Sequence, residues 1–359
     1  MKPWNIIILN IICFFLIINA SDVNACSAFQ VSKGDITIVG KSFDWGFDHG
    51  LIIINQKGLT KSALVKPPQI PANWTSKYGS ITFNQVSREL PFSGMNEKGL
   101  TVEVLWLETA SFPKQDNRPA LNELQWAQYQ LDQFASVKEV VKHLQDIRIL
   151  KAVATIHYFV CDALGACATI EPVNEKLVVH SNKSLPIKAI TNNTYEDSLR
   201  YVEPYLDLKT PKTPPNGDQS LSRFTRLSQF LKTQKNNSTD LISLTNEAFA
   251  LVKNTTKDYE TQWNIVYDLT NKTVHVKTKS KPDEKIINLS RMNFGCDKPL
   301  LAMDINDPKK GDITNDFSKY TKDMNKIIVS KSLATGFAHF PPEAIEKIAS
   351  YPDSEVCKQ

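Results

Sequence analysis

The chain of 359 residues holds only six histidines and six cysteines, and no Cys-x-x-Cys or His-x-x-x-His spacing occurs among them. A bound metal needs several such side chains converging on one point, so no metal site is expected. A basic stripe is missing too: the formal charge is +4, with lysines and carboxylates interspersed. That leaves no electrostatic footprint for nucleic acid, and none is expected as a partner. No internal repeat is evident, which sets aside solenoids and arrays. The apolar run Ile6 to Ile18, thirteen residues, is too short to span a bilayer comfortably. Stable membrane association is therefore not expected.

What that run does fit is an export leader. Lys2 gives a positive start, and Val23 and Ala25 are the small residues of a cleavage site just before Cys26. Residues 1–25 are expected to be a signal peptide and the product to be exported, periplasmic or secreted. The remaining 334 residues carry ample apolar content for a sizeable core, and 26–359 is read as a single domain. A cut there makes Cys26 the first residue of the mature chain. Such a residue carries both a thiol and a free α-amino group, so one amino acid supplies a nucleophile and the base that activates it. This points to an N-terminal-nucleophile amide hydrolase. The competing reading is lipoprotein processing, with Cys26 acylated and the protein a non-enzymatic anchor. The polar run Asn19 to Asn24, lying between the apolar core and the cysteine, weighs against it.

Cys13 leaves with the leader, so Cys26, Cys161, Cys167, Cys296 and Cys357 remain, an odd number in an oxidising compartment. Cys161 and Cys167 flank a turn, Asp162-Ala163-Leu164-Gly165-Ala166, and can pair across two strands; Cys296 can then pair with Cys357, leaving Cys26 over. Four buried thiols is the alternative, because sequence does not fix connectivity.

Alternation predicts strands at Ser27–Ser32 and Ile36–Lys41 around a Lys33-Gly34-Asp35 turn, and apolar runs predict strands at Leu51–Asn55 and Leu100–Leu107. Helical spacing runs from Pro119 to Gln133, and a second helix, capped by Ser136, covers Val137–Ile149. Strands follow at Thr155–Cys161, Cys167–Glu171 and Lys176–His180, then a helix over Tyr195–Leu206. The proline-rich, polar Lys209–Gln219 reads as a loop. Helices at Arg223–Lys232 and Thr239–Lys253 and strands at Gln262–Leu269 and Thr273–Lys277 complete the pattern. Strands, a helical layer, more strands and a second helical layer give an α+β fold in which paired sheets lie between helices.

Several short elements occur in a telling order: Cys26-Ser27, then Gly40-Lys41-Ser42-Phe43-Asp44-Trp45 starting fourteen residues on, Met95-Asn96-Glu97-Lys98-Gly99-Leu100, Ile190-Thr191-Asn192 and Ser222-Arg223-Phe224. In this the chain resembles the choloylglycine hydrolase family, which includes penicillin V acylases and bile salt hydrolases. The resemblance implies a four-layer αββα sandwich of the N-terminal-nucleophile type, cleaving linear amides of small N-acyl substrates without metal or cofactor, and commonly assembled as a homotetramer.

It also implies roles. Cys26 attacks, Asp44 accepts a hydrogen bond at the cysteine's amine and thiol, Asn192 lines the oxyanion hole, and Arg223 steadies the polar network. Two positions depart from the pattern. Lys41 stands where the family usually has arginine, keeping the charge but losing the planar fork that holds two partners. Trp106 falls where bile salt hydrolases carry asparagine; its backbone N–H can still serve the oxyanion hole. Its side chain resembles the exported, Gram-negative-type branch, which suggests penicillin V or long-chain N-acyl homoserine lactones as substrates, with conjugated bile salts as the alternative. Trp45, Met95 and Trp106 are expected to line an apolar pocket for the acyl group.

Overall fold

The structure is a computed structural model that describes residues 26–207, 212–233, 240–253, 260–334 and 342–358. The expected leader and the first part of the expected Lys209–Gln219 loop lie outside the described residues. In chain order the strands are β1 (Ser27–Lys33), β2 (Ile36–Asp44), β3 (Leu51–Asn55), β4 (Leu59–Ser62), β5 (Asn73–Thr75), β6 (Ser80–Ser87), β7 (Leu90–Asn96) and β8 (Thr101–Trp106). After β9 (Ala120–Asn122) come α1 (Glu123–Gln133) and α2 (Val137–Lys142), then β10 (Arg148–Leu150), β11 (Ile156–Cys161), β12 (Cys167–Val173), β13 (Lys176–Ser181) and β14 (Ala189–Ile190). Helices α3 (Tyr195–Val202), α4 (Ser220–Thr233) and α5 (Leu241–Val252) precede β15 (Thr261–Asp268), β16 (Thr273–Thr278), β17 (Lys285–Asn288), β18 (Leu301–Asp304), β19 (Gly311–Asp312) and β20 (Ser318–Lys319). The chain closes with α6 (Lys322–Ala334), α7 (Pro342–Ser350) and β21 (Val356–Cys357).

Two large sheets organise these elements. One runs β14-β1-β2-β15-β16-β17-β19 and the other β13-β12-β11-β8-β7-β6-β3-β18-β20. Helices α4 and α5 pack on the first sheet through β1, β2, β14 and β15, while α1 and α6 pack on the second through β6, β7 and β8. The result is an α+β fold with paired sheets between helices, as the element order predicted, in the four-layer sandwich that the resemblance implied. Because side chains alternate along a strand, β2 sends Lys41 and Phe43 towards the second sheet and Gly40, Ser42 and Asp44 towards the helices. Gly40 is needed there: a Cβ would lie 2.5 Å from the ring of Phe29, its neighbour in register on β1.

Hydropathy misjudged some elements, each for a visible reason. Pro119–Gln133 is not one helix; Ala120–Asn122 pairs in parallel with β10, and the helix starts at Glu123 with Asn122 capping Gln125 N. The Ser136-capped helix ends at Lys142, well short of Ile149. Leu144 and Ile147 still reach the core, from turns, so their spacing mimics a helix that backbone pairing at Arg148 has already ended. Strands β6 and β7 escaped notice because β6 is fully buried yet rich in polar residues, with Thr82 accepting from Asn55 at 2.8 Å and Gln85 donating to Phe47 O at 3.0 Å. Disulfides join Cys161 to Cys167, in direct register across β11 and β12, and Cys296 to Cys357. Cys26 is a buried free thiol.

Candidate active site

Cys26 sits at the mouth of β1, where the first sheet meets α4, and its Sγ lies 3.7 Å from the backbone oxygen of Asp44 at the end of β2. The β1–β2 hairpin brings them together, because antiparallel pairing sets Ser27 opposite Ser42. From the helical layer Arg223 reaches in, fully buried. Its Nη1 donates to Cys26 O at 2.9 Å and to Ser27 Oγ at 2.6 Å, and its Nη2 donates to Asn192 Oδ1 at 2.8 Å. One planar fork thus ties the start of β1 at Cys26 to the loop after β14, a use of geometry that a lysine could not match.

That contact also orients the amide of Asn192. With Oδ1 held by Arg223, Nδ2 points the other way and donates to Trp106 O at 2.9 Å. An amide nitrogen carries two hydrogens, so a second donor remains. Trp106 stands opposite Ile156 on β11, and the next pair is bonded through Leu107 N to Thr155 O at 2.9 Å. Bonded and non-bonded pairs alternate in an antiparallel ladder, so the N–H of Trp106 points away from β11. The described pairing of β7 with β8 stops at Glu103. The Asn192 amide and the Trp106 N–H thus lie together on the side of β8 away from β11, and Arg223 links that Asn192 to Cys26.

Charges around the thiol oppose one another. Burial pushes the Cys26 thiol up, the Lys41 and Arg223 cations pull it down, and the Asp44 carboxylate pushes it up again. Burial also raises Asp44, to about 6, although Arg223 and the hydroxyls of Ser42 and Thr261 favour its ionised form; Ser42 donates to Oδ1 at 2.7 Å. Desolvation lowers Arg223, with Asp44 and Cys26 acting in the opposite sense. Lys41 is fully buried between the sheets, donating to Val104 O at 2.7 Å, and so approaches the thiol from the face opposite Arg223.

The aromatic residues divide. Trp45 and Trp106 are half-buried at the strand ends beside Asp44 and Asn192, their ring centroids 6.0 Å apart. Phe47 stands 6.0 Å from Trp45, an apolar wall that the sequence reading did not include. Met95 needs correction: it is wholly inaccessible in the middle of the sandwich, in register with Ile81 and Thr101, so it fills core rather than lining a surface for substrate. Also missed was the scaffold behind Asn192. Ser220 accepts from Asn192 N at 2.8 Å and donates to Thr191 Oγ1 at 3.0 Å, and buried His157 spans Thr191 O at 2.8 Å and Glu171 Oε1 at 2.9 Å. His157 and Glu171 are fourteen residues apart in sequence and meet only through the β11–β12 register. Among the described residues no group of His, Cys, Asp and Glu is arranged to hold a metal ion, and no described helix is long and apolar enough to cross a membrane.

Residues 26–309 match the model of the linear amide C–N hydrolases, choloylglycine hydrolase family. The chain belongs to that family. As a choloylglycine hydrolase family member it is a linear amide C–N hydrolase, similar to penicillin V acylases. It is 28% identical over 315 residues to a penicillin V acylase of Pectobacterium atrosepticum, covering 75% of this chain and 82% of that protein. Its fold is shared by a penicillin V acylase from Agrobacterium tumefaciens, with a TM-score of 0.72 and 24% identity over 82% of this chain and 98% of that one. A conjugated bile acid hydrolase from Clostridium perfringens has the same fold at a TM-score of 0.64 and 18% identity, covering 82% of this chain and 97% of that one.

Proposed function

We propose that removal of residues 1–25 during export exposes Cys26 as the nucleophile of an amidase acting on an N-acyl substrate such as penicillin V or an N-acyl homoserine lactone. The observation that carries this reading is the convergence of Arg223 on Cys26, Ser27 and Asn192, with Trp106 beyond. An α-amino group titrates at about 7.7–8.0 and a cysteine thiol at about 8.5, so proton transfer between them costs little near neutral pH. The thiolate attacks the acyl carbon and the carbonyl oxygen takes the negative charge, facing Asn192 Nδ2 and Trp106 N–H. Collapse of this adduct breaks the C–N bond, and the amine departs with a proton from the α-ammonium group. Water then attacks the thioester, the α-amino group accepting its proton, and the acid leaves as Cys26 is restored. Asp44 holds the amine in place, and Arg223 fixes the nucleophile's strand against the oxyanion loop.

Trp45, Phe47 and Trp106 supply an apolar, aromatic wall beside this centre, suited to a phenoxyacetyl or fatty acyl group. The deciding experiment is amine release by the exported, processed protein from penicillin V, from acyl homoserine lactones of graded chain length and from a glycine-conjugated bile salt, with Cys26→Ala alongside. Mass spectrometry of the mature protein accompanies it. Turnover of penicillin V or the lactones that disappears in Cys26→Ala, together with a free N-terminal Cys26, is the expected outcome. A lipid adduct on Cys26, or activity surviving in Cys26→Ala, overturns the proposal.

A further inference from the structure

A second polar cluster lies behind the nucleophile, in the otherwise apolar layer between the two sheets. Glu103 on β8 is wholly inaccessible, as are Lys41 on β2 and Tyr267 on β15. Glu103 Oε2 accepts from Ser93 on β7, and the Ser93 hydroxyl is itself bonded to the Tyr267 hydroxyl. Glu103 Oε1 is buried with no hydrogen-bond partner among the described residues. Lys41 Nζ is anchored on Val104 O, the carbonyl of the residue next to Glu103, at 2.7 Å. Phe159 faces Glu103 from β11. The charged and titratable groups around this carboxyl are thus Lys41 and Tyr267, and Lys41 in turn acts on Cys26 beside Asp44 and Arg223.

We propose that Glu103 is a positioning residue for the amidase reaction, a counter-charge whose ionisation sets how strongly the buried Lys41 cation favours the Cys26 thiolate. The inference rests on Cys26 being the nucleophile. Its physical basis is the cost of placing charge in a dry layer. A buried carboxyl with one oxygen unpartnered and no cation in contact favours its neutral form. Burial accordingly raises Glu103 to about 8, with Lys41 and the Ser93 hydroxyl pulling the other way. While Glu103 is neutral, the positive charge of Lys41 is left to act on the thiol. Once Glu103 ionises, its negative charge offsets that of Lys41 and the thiolate loses support. A lysine anchored on the carbonyl next to this glutamate, both buried between the sheets, thereby acts on the nucleophile from behind, on the side away from the Arg223 fork.

The test reads the thiol directly, in the processed, full-length protein, from the pH dependence of Cys26 alkylation by iodoacetamide between pH 5 and 10. Lys41→Met is expected to slow alkylation about tenfold at pH 7 by moving the thiol's titration upward, and Lys41→Arg to restore most of it. Glu103→Gln, which cannot ionise, is expected to move the same titration downward and to speed alkylation severalfold around pH 8. Shifts of opposite sign in the two variants are what a merely structural pair would not give. A Glu103→Gln profile that overlays the parent, or one shifted upward like Lys41→Met, overturns the inference. Should Glu103→Gln fail to fold, Ser93→Ala takes its place: it removes the hydroxyl that favours the ionised carboxylate and is expected to move the titration the same way, and no movement overturns the idea. The nucleophile assignment is judged separately, since alkylated enzyme that still hydrolyses amides would refute that assignment whatever the alkylation profiles show.

Discussion

Asn192 is held at three points: its backbone N–H by Ser220, its Oδ1 by Arg223 and its Nδ2 by the Trp106 carbonyl. In the proposed mechanism this holding pre-orients the remaining amide hydrogen towards a developing oxyanion, where a donor contributes on the order of 2.7–4 kcal/mol. Asn192→Ala is therefore expected to lower kcat by about two to three orders of magnitude and kcat/KM by the same factor, as steady-state kinetics will show; a rise in KM with kcat intact would remove the oxyanion role. Asp44 gives a prediction in pH. Its carboxyl is raised to about 6 by burial, so it is ionised at neutral pH and takes up a proton as pH falls through that value, which in the proposed mechanism ends its hold on the amine of Cys26. The rate is expected to decline below about pH 6, and Asp44→Asn to be slow throughout with that acid limb gone.

Among the elements, the end of β14 and the start of α4 act as one unit. Ser220, the first residue of α4, bonds both Asn192 N and Thr191 Oγ1, while His157 on β11 holds Thr191 O against Glu171 on β12. Glu171 in turn accepts from Tyr195 N at the start of α3, at 3.0 Å. Two strands, a loop and two helix starts thus fix the position of one amide group. Removing the hydroxyl in Ser220→Ala leaves the Asn192 N–H without its partner and is expected to cost about tenfold in kcat with little change in KM. Ser220→Thr, which keeps the hydroxyl, is expected to recover most of the loss. A KM effect that Thr does not rescue would assign Ser220 to helix stability instead.

For the whole molecule, the C-terminal segment is secured at three points: β21 pairs with β4, Cys357 is bonded to Cys296, and Glu355 meets the buried Arg88. Arg88 also contacts Glu89, which lies 2.8 Å from the buried Lys61, itself 3.0 Å from Asp132 on α1. This network links the last strand to the helical layer of the second sheet. Burial works against the charge of Lys61, yet Asp132 and Glu89 raise its pKa, so it stays a cation across the working range. Lys61→Met would leave the buried Asp132 carboxylate without a cation and Glu89 with Arg88 alone, and is expected to cost about 3–5 kcal/mol in urea unfolding. The Cys296–Cys357 bond closes a loop of 61 residues, and Cys357→Ser is expected to cost about 4 kcal/mol by the loss of that restraint on the unfolded chain.

Cys26, Asp44, Asn192 and Arg223 were legible as single residues because short motifs carry them, and the two sheets were legible wherever a strand is apolar or alternates. Element order and short motifs sufficed for the layering and for the four polar residues that surround one point. Which other side chains reach that point depends on how the sheets pack. Met95 looked like a pocket residue from its motif, but its position on β7 faces it into the sandwich. Strand β6 was invisible because its buried polar side chains are satisfied by partners far along the chain, and hydropathy records only composition. Glu103, His157 and Glu171 belong to strands that come together through register, and each owes its burial and its partner to that pairing. Local propensity and periodicity extend over a few residues, whereas these contacts join positions as distant as Ser87 and Asn325, 238 apart, so they exist only once the sheets have packed.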